Sequence, residues 1–373
     1  MKKNFLDEKY LNLLDDIIKN GTKKNDRTKV GTISVFEREI KAHMKDGFPL
    51  LTSKKMFIKG IIIELLWFLK GDTNIKYLID NDVNIWNNDA YNYYKKIKKD
   101  WLKNKPINSP EVLLLNKDLT IEEFLIGVKE QNINDSLFDI NYKYGDLGSI
   151  YGKQWKRWGE GEIIWEETPN TNGTLYSKKN PGINQIQNLI DDLINEPDSR
   201  RLMVNAWNVS DIPKCALPPC HYCFQCYTRE LSEFERGELY NQKMKGFIDT
   251  DDVKTTYHFD NAGIPKRELS LKWEQRSVDS CLGLPYNIAS YAFLLHMLAQ
   301  QTNMVPGELI GSLGDTHIYN NQLDIVEEQL KNETFELCTL ELNKATSIFD
   351  YKYEDFKIKN YKSAGKVNYP LSN

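Results

Sequence analysis

One stretch of the chain is especially informative about its fold, and it reads Leu217-Pro218-Pro219-Cys220-His221-Tyr222-Cys223-Phe224-Gln225-Cys226-Tyr227. Its second part is rich in aromatic residues, a composition typical of a β-strand. The two prolines restrict the backbone and present Cys220 at the mouth of that strand. A thiol held in this way is a candidate nucleophile, although a Cys-His pair taken alone is more often structural.

The cysteines of this stretch allow a second interpretation. Cys220, Cys223 and Cys226 are spaced as Cys-x-x-Cys-x-x-Cys, which also occurs at metal and iron–sulfur sites. On a strand, however, these three positions would not share one face. We therefore expect free buried cysteines at positions 215, 223, 226, 281 and 338. No metal is expected, because the histidines at 43, 221, 258, 296 and 317 show no ligand spacing.

Charge and hydropathy exclude some classes of protein. The 373 residues include 49 Lys and Arg against 53 Asp and Glu, and this net charge of -4 argues against a nucleic acid as the main partner. The most apolar stretch, Ile58 to Leu69, is too short to span a membrane and is interrupted by Lys59 and Glu64. Polar residues also interrupt the N-terminal region, so we expect no signal peptide and a cytoplasmic protein.

The periodicity of the chain predicts several elements of one domain, residues 1–373. Ile33 to Ile40 alternates like a strand, and Leu202 to Trp207 reads as another. Helices are predicted at Phe57 to Lys70, Ile183 to Ile194 and Asn287 to Gln301. Three segments differ from this core in composition and are interpreted as peripheral insertions, at about 91–144, 159–182 and 231–266.

Arginines recur beside hydroxyl groups at three places in the chain. Arg200 and Arg201 follow Ser199, Arg276 precedes Ser277, and Arg27 precedes Thr28. Guanidinium and hydroxyl groups together suit a phosphate dianion, by charge and by hydrogen bonding. Adjacent arginines such as Arg200 and Arg201 are also common as a solvated surface pair, and the sequence leaves both interpretations open.

Glu64 is unusual because it lies inside the apolar run from Ile61 to Leu69. A carboxylate is costly to bury unless it is paired or used. It is therefore either a structural hydrogen-bonding group or a carboxyl whose raised pKa suits proton transfer.

The chain resembles the thymidylate synthase family in a series of motifs that appear in the family's order. Leu217-Pro-Pro-Cys220-His221 resembles the family's active-site loop. The other matching blocks lie at Phe48 to Lys54, Glu64 to Asn74, Tyr151 to Trp155, Ser199 to Arg201, Ala206 to Asn208, Gln275 to Asp279, Leu282 to Tyr291 and Gly314 to Tyr319. The resemblance implies an α/β (α+β) fold with a mixed β-sheet core and flanking helices, with sheets stacked across a homodimer interface.

The resemblance also implies an activity and a set of site residues. The activity is the conversion of dUMP to dTMP with 5,10-methylenetetrahydrofolate as one-carbon and hydride donor, through addition of Cys220 to C6 of the uracil. Catalytic roles fall on Cys220, Glu64, Tyr151, His221 and Asn287, with Glu64 and Tyr151 managing protons. Nucleotide contacts fall on Arg27, Arg276 and Ser277, on Arg200 and Arg201 from the other subunit, and on Gln275, Asp279, Gly283, Asn287, His317 and Tyr319. Folate contacts fall on Ile85, Trp86, Asp279, Leu282, Gly283 and Tyr286.

Two features depart from the family's pattern. The family usually ends in an apolar pair whose carboxylate helps to close the site, whereas this chain ends in Pro370-Leu-Ser-Asn373. Asn87 and Asp89 stand where the family usually has an acidic residue and a second tryptophan. These departures keep two alternatives open: a deoxyuridylate hydroxymethylase, in which water replaces the hydride, and a non-catalytic protein that binds its own message or a partner.

Overall fold

A computed structural model describes residues 4–26, 28–103, 105–106, 118–130, 142–167, 175–244 and 255–372. Within these residues the chain divides into two compact units. The first unit comprises the described parts of Met1–Ile58, Gln187–Val204 and Cys220–Ser372. The second comprises the described parts of Lys59–Ile186 and Asn205–Pro219.

The first unit is built on a β-sheet with helices packed against it. Its helices are α1 (Phe5–Asn20), most of α7 (Gln185–Asn195), α8 (Glu233–Met244), α9 (Thr255–Asn261), α10 (Gly283–Gln301) and α11 (Leu323–Gln329). Its strands are β1 (Thr22–Lys24), β2 (Thr32–His43), the start of β5 (Met203–Asn205), β6 (His221–Glu230), β7 (Arg267–Asp279), β8 (Val305–Tyr319), β9 (Thr339–Leu342) and β10 (Phe356–Lys359).

The second unit is mainly helical. It contains α2 (Ile58–Leu69), α3 (Lys76–Asp80), α4 (Asn87–Lys103), α5 (Ile121–Glu130) and α6 (Tyr151–Arg157), with the hairpin of β3 (Ile163–Glu167) and β4 (Leu175–Lys179). Helix α5 packs against α3 and α4. The unit therefore holds the described parts of two predicted insertions, 91–144 and 159–182, whereas α8 and α9 form the described part of 231–266.

The main sheet is mixed. Within the described residues its strand order is β1-β2-β8-β7-β6-β5. Strands β7 and β8 run parallel, whereas β1 with β2, β2 with β8, and β6 with β7 are antiparallel. A parallel pair needs a crossover, and α10 supplies it between β7 and β8. This arrangement brings the C-terminal ends of β7 and β8 together beside the first residues of β6, with Asp279 opposite His317 and Gln275 opposite His221.

Most of the predicted elements are confirmed. The strand at 33–40 is the centre of β2, and the helix at 57–70 is α2. The strongest predicted helix is α10, which begins at Gly283 rather than Asn287 because Pro285 is tolerated in a first helical turn. The strand predicted at 202–207 is shorter, limited to Met203–Asn205. Among the described residues, none of the helices combines the length and apolar character needed to cross a bilayer.

The predicted separation of the cysteines on β6 is confirmed, with one correction. Phe224 and Cys226 are buried whereas Gln225 and Tyr227 are exposed, so Cys223 and Cys226 lie on opposite faces. Cys223 is only partly buried, contrary to the prediction, because it lies on the same face of β6 as the exposed Gln225 and Tyr227. Cysteines 215, 226, 281 and 338 are buried and free as predicted.

Candidate active site

Cys220 lies immediately before β6 and is partly exposed. Its carbonyl oxygen accepts a hydrogen bond from the backbone N–H of Arg276, at 2.9 Å. The nucleophile candidate is thereby fixed to the strand that carries Gln275, Arg276 and Ser277. Burial raises the pKa of Cys223 to about 11 and that of Cys226 to about 12, which makes those two thiols poor nucleophiles at neutral pH.

A hydrogen-bonded chain of side chains fixes Asn287, which lies in the second turn of α10. Its amide N–H donates to Gln275 Oε1 at 2.9 Å, and the same oxygen accepts from the Trp273 indole N–H at 3.1 Å. Gln275 in turn donates to the Ser277 carbonyl at 3.1 Å. Because Gln275 and Trp273 are buried, the Asn287 amide is held in one orientation. An amide fixed in this way can both donate to and accept from the edge of a pyrimidine.

The charged and hydroxyl side chains predicted to bind phosphate differ in their exposure. Arg276 is exposed and the adjacent Ser277 is partly exposed, both near the end of β7. Arg200 is also exposed, in the turn before β5, and so is Arg201. Arg27 falls outside the described residues. Its neighbours Asp26 and Thr28 are bonded to each other, since Asp26 accepts from the Thr28 hydroxyl at 2.7 Å.

His317 and Tyr319 lie together at the end of β8. The His317 ring is mostly buried, 5.2 Å from the Tyr319 ring and nearly perpendicular to it. Its Nδ1 lies 3.2 Å from the Asp315 carbonyl oxygen, a position that suits an Nδ1–H donor. These two aromatic side chains therefore form one group opposite the end of β7.

Asp279 is the last residue of β7, and its side chain accepts hydrogen bonds from the turn that leads into α10. One of its carboxylate oxygens accepts from the backbone N–H groups of Cys281 and Leu282, each at 3.0 Å. Burial raises the pKa of Asp279 above its usual range, while those backbone donors act in the opposite direction. Gly283 follows directly, and a Cβ added there would meet only the Asp279 Cβ at 3.7 Å, which is ordinary contact. Packing within the chain therefore does not by itself require glycine at 283.

The C-terminal segment docks onto the first unit near this carboxylate. The buried Tyr369 hydroxyl donates to Gln329 Oε1 at 2.5 Å, and Gln322 donates to the Pro370 carbonyl at 3.1 Å. The Tyr369 ring also lies 5.2 Å from the ammonium group of Lys54. Lys54 donates to the Cys281 carbonyl, and burial lowers its pKa to about 8. The tail is thus anchored through the Tyr369 side chain and the Pro370 carbonyl group.

Glu64 and Trp86 form a direct hydrogen bond in the second unit. The Trp86 indole N–H donates to Glu64 Oε1 at 2.6 Å. Burial raises the pKa of Glu64 to about 7, although the bond from Trp86 acts to lower it. The Tyr151 ring is buried 6.4 Å from the Trp86 ring, while Ile85 is partly exposed. The structure therefore places Glu64, Trp86 and Tyr151 close together. The pKa of the Glu64 carboxyl group lies near neutral pH.

His221 and the buried Tyr291 form a second pair of side chains, beside the nucleophile candidate. The His221 Nδ1 lies 2.9 Å from the Tyr291 hydroxyl oxygen. Burial lowers the pKa of His221 to about 3, so the imidazole is neutral at physiological pH. In the part of the chain that the structure describes, no three His, Cys, Asp or Glu side chains are placed to hold a metal ion.

A comparison with protein families shows which family the chain belongs to. The family model described as thymidylate synthase matches residues 8–373. The chain belongs to the thymidylate synthase family. Membership makes it a methyltransferase, and the mixed sheet with flanking helices is the fold that the resemblance predicted.

Individual relatives support the same assignment over nearly the whole chain. The thymidylate synthase of Mycoplasma mobile is 41% identical over 357 residues, covering 95% of this chain and 96% of the relative. That of Mesoplasma florum is 36% identical over 360 residues, covering 96% and 98%. That of Staphylococcus haemolyticus is 34% identical over 375 residues, covering 99% of both chains.

The residues that depart from the thymidylate synthase family's usual pattern have a local structural role. Asn87 and Asp89 lie in the first turn of α4, directly after Trp86. A carboxylate at this place favours the helix because it interacts with the positive end of the helix dipole. Asp89 therefore stabilises the first turn of α4, the helix that leads into the first insertion.

Sequence reasoning missed four side chains that order the site. Trp273 fixes Gln275, Tyr291 contacts His221, and Lys54 with Tyr369 anchors the tail. Tyr291 falls within a matched motif, but its apolar helical spacing indicates only a core residue. Tyr369 is a single aromatic residue in a polar tail, and its partners Gln329 and Lys54 are distant in sequence, so pattern alone does not reveal it.

Proposed function

We propose that the protein catalyses the reductive methylation of dUMP to dTMP, with 5,10-methylenetetrahydrofolate supplying both the one-carbon unit and the hydride. The observation that carries this proposal is the place of Cys220, at the entrance to β6 and tied to the backbone of Arg276. Membership of the thymidylate synthase family over residues 8–373 supports it. The folate acts as a cosubstrate, and the proposed chemistry requires no metal.

The proposed reaction begins with covalent catalysis. The Cys220 thiolate adds to C6 of the uracil ring, which gives C5 the character of an enolate carbon. That carbon attacks the methylene group of the folate and forms a C–C bond, and a base then removes the C5 proton as the bond from the methylene carbon to the folate nitrogen breaks. Hydride transfer from the tetrahydrofolate released in this way converts the methylene group into the methyl group and leaves dihydrofolate, while the C6–S bond breaks and Cys220 is regenerated.

In this proposal several residues share the recognition of dUMP. Asn287, oriented by Gln275, reads the uracil edge, and its amide suits the N3–H and O4 of uracil. The 5′-phosphate is bound by Arg276, Ser277 and Arg27. His317 and Tyr319 form hydrogen bonds with the ribose hydroxyl group. Asp279 and Gly283 complete the nucleotide contacts.

The remaining residues act on the folate and on proton transfer. Glu64 and Tyr151 take part in proton transfer, and the raised pKa of Glu64 supports this role. The folate is contacted by Ile85, Trp86, Asp279, Leu282, Gly283 and Tyr286. No observation on the described residues favours the hydroxymethylase over the synthase.

The product of the purified protein tests this function. With dUMP and 5,10-methylenetetrahydrofolate we expect dTMP and an equal amount of dihydrofolate, because the indole of Trp86 is proposed to shield the methylene intermediate from water. Mass analysis of the nucleotide is combined with the absorbance change of dihydrofolate formation. A main product of 5-hydroxymethyl-dUMP without dihydrofolate would replace this proposal with the hydroxymethylase.

We also propose that two copies of the chain form a homodimer by stacking their main sheets. Apolar side chains are exposed on three strands of the sheet, with Phe36 77% and Tyr227 68% exposed, and Met203 about half exposed. The same region contains a concavity of about 590 Å³, lined in part by Ser199, Arg200 and Tyr227. In the proposed dimer, Arg200 and Arg201 reach the phosphate site of the other subunit.

Mixing of inactive variants tests the shared site. Cys220→Ala and Arg200→Glu subunits, mixed by unfolding and refolding, should recover up to about one quarter of wild-type specific activity. The reason is that half of the dimers would be mixed, and one of their two sites would combine an intact Cys220 with an intact partner arginine.

The matched control for this mixing experiment uses a residue assigned to the same subunit as the nucleophile. Cys220→Ala mixed with Arg276→Glu should show no recovery, because each site of the mixed dimer then carries one defect. Recovery in both mixtures, or in neither, would contradict the shared arrangement, as would a fully active monomer in sedimentation.

We propose a single thymidylate synthase-like domain, residues 1–373, in which the segments at about 91–144, 159–182 and 231–266 are peripheral insertions. The family model supports this proposal because it spans both compact units. We place the protein in the cytoplasm, a location supported by its free cysteines, since reducing compartments keep thiols unpaired. A nucleic-acid or membrane partner is not part of the proposal.

A further inference from the structure

The imidazole that follows the nucleophile candidate has a buried phenol as a neighbour. His221 Nδ1 and the Tyr291 hydroxyl oxygen are 2.9 Å apart, within hydrogen-bond distance. The two rings are nearly perpendicular, with their centroids 5.4 Å apart. This geometry directs the phenol oxygen at one ring nitrogen of His221.

The surroundings of Tyr291 hold its hydroxyl group in one place. Its ring is stacked on the indole of Trp273, with centroids 5.3 Å apart and planes 8° from parallel. Phe224 packs against it edge-on, at 5.8 Å. Tyr291 is only 3% exposed and Trp273 is fully buried, so the phenol cannot rotate away from His221 without disturbing the core.

The same Trp273 also donates to Gln275 Oε1, the atom that accepts from Asn287. One indole thus supports two polar groups: its N–H orients the amide pair and its face supports the phenol. A displacement of Tyr291 would therefore be resisted by residues that already serve the proposed uracil site.

The protonation states of the pair restrict how they can bond. Burial lowers the pKa of His221 to about 3 and raises that of Tyr291 well above its usual value, so a neutral imidazole faces a neutral phenol. A neutral imidazole carries one proton, and the hydrogen bond at one nitrogen selects which nitrogen holds it. Since a phenol O–H is a stronger donor than acceptor, the favoured arrangement is donation from Tyr291 to an unprotonated Nδ1.

We propose that Tyr291 is a positioning residue that donates its O–H to His221 Nδ1 and thereby keeps the ring proton on Nε2. His221 then enters the reaction as an oriented, neutral donor through Nε2, next to Cys220. The expected effect on turnover rests on the proposed function, whereas the protonation of the ring does not. The two can therefore be tested apart.

The protonation is measured directly by nuclear magnetic resonance on protein labelled with ¹⁵N-histidine. Long-range ¹H–¹⁵N correlations distinguish the two neutral tautomers, and the signals of His221 are assigned by their loss in His221→Gln. At pH 7 we expect the wild-type ring to carry its proton on Nε2. The Tyr291→Phe variant, which loses only the phenol oxygen, should show a mixture of both tautomers.

Two outcomes of this measurement would overturn the proposal. One is a wild-type His221 with its proton on Nδ1, since Tyr291 would then be the acceptor. The other is an unchanged Nε2–H tautomer in Tyr291→Phe, since the phenol would then have no part in selecting it. The wild-type spectrum decides the first point even if the variant folds poorly, and neither point depends on which product the enzyme forms.

Steady-state kinetics give the second readout. In Tyr291→Phe we expect kcat to fall about 10- to 100-fold, because a misprotonated imidazole orients its partner wrongly, while KM for dUMP stays within about twofold. The matched control is Tyr351→Phe, which removes a phenol hydrogen bonded to Gln300. Tyr351 is equally buried, belongs to none of the proposed binding groups, and its variant should keep the wild-type kcat. Equal losses of kcat in both variants, or a loss confined to KM, would assign Tyr291 a structural role only.

Discussion

Replacement of Cys220 by alanine is expected to lower kcat by at least about 10⁴-fold, the scale of loss when an enzyme's nucleophile is removed. The neighbouring thiols on β6 cannot take its place, because burial raises the pKa of Cys223 to about 11 and of Cys226 to about 12. Binding of dUMP should remain within about tenfold of wild type, since the fixed amide of Asn287 and the arginines do not depend on the sulfur.

Turnover and nucleotide binding are measured separately for this variant, by dihydrofolate formation and by calorimetric titration with dUMP. Cys223→Ala is the matched control, since Cys223 is three residues further along the chain, on β6, and makes a weak 3.8 Å contact from its sulfur to the Phe224 carbonyl. We expect it to retain activity within about threefold. Full activity in Cys220→Ala would remove this residue from the mechanism. A bound metal that is lost on Cys223→Ala would restore the metal interpretation of the cysteine cluster.

The residues around Cys220 show why much of the site was predictable from sequence. Cys220 directly precedes β6, whereas Gln275, Arg276 and Ser277 lie on the neighbouring strand β7, and each lies in a short motif whose chemistry is visible locally. Asn287 and Asp279 follow because the helix α10 starts directly after β7. Strands that alternate and helices with a broad apolar face were predicted for the same reason, since their signals are local in the chain.

The parts that sequence could not supply depend on contacts between distant residues. The Trp86 indole selects one oxygen of Glu64, and the Tyr291 phenol selects one nitrogen of His221. Such choices arise from packing, which no spacing rule encodes. The division into two units was not predicted either, because no Pro-, Gly- or Ser-rich linker marks it in the sequence.

Glu64 shows how the same packing produces a chemical property. The sequence identified a carboxylate in an apolar helix, and the structure gives it a pKa of about 7 in place of the ordinary 4.5, because the loss of surrounding water disfavours the charged form. The hydrogen bond from the indole N–H of Trp86 favours the ionised form but does not offset the burial. Glu64 therefore exists in both protonation states near neutral pH, which is the condition for efficient proton transfer.

The Glu64→Gln variant is expected to lower kcat about 10²- to 10³-fold, the range lost when a group that transfers protons is replaced. Gln is nearly the same size and its Oε1 can still accept from Trp86, but it cannot release or take up a proton. Dihydrofolate formation measures the loss. The control is Glu328→Gln, which replaces an exposed carboxylate on α11 and should keep wild-type activity.

Wild type and Glu64→Gln can also be compared in a second, independent measurement, because the raised pKa of Glu64 affects the free energy of unfolding. Between pH 4.5 and 7 the folded state holds the Glu64 proton that the unfolded state has released, so wild-type stability falls as pH rises through this window. The shift of the pKa from 4.5 to about 7 corresponds to about 3 kcal/mol of unfolding free energy. Glu64→Gln lacks this loss, so its stability relative to wild type should increase by about 2.5 kcal/mol from pH 5 to pH 8 in urea unfolding at one protein concentration. A difference between variant and wild type that stays constant with pH would show that Glu64 has an ordinary pKa, and a raised pKa could then not account for the loss of kcat.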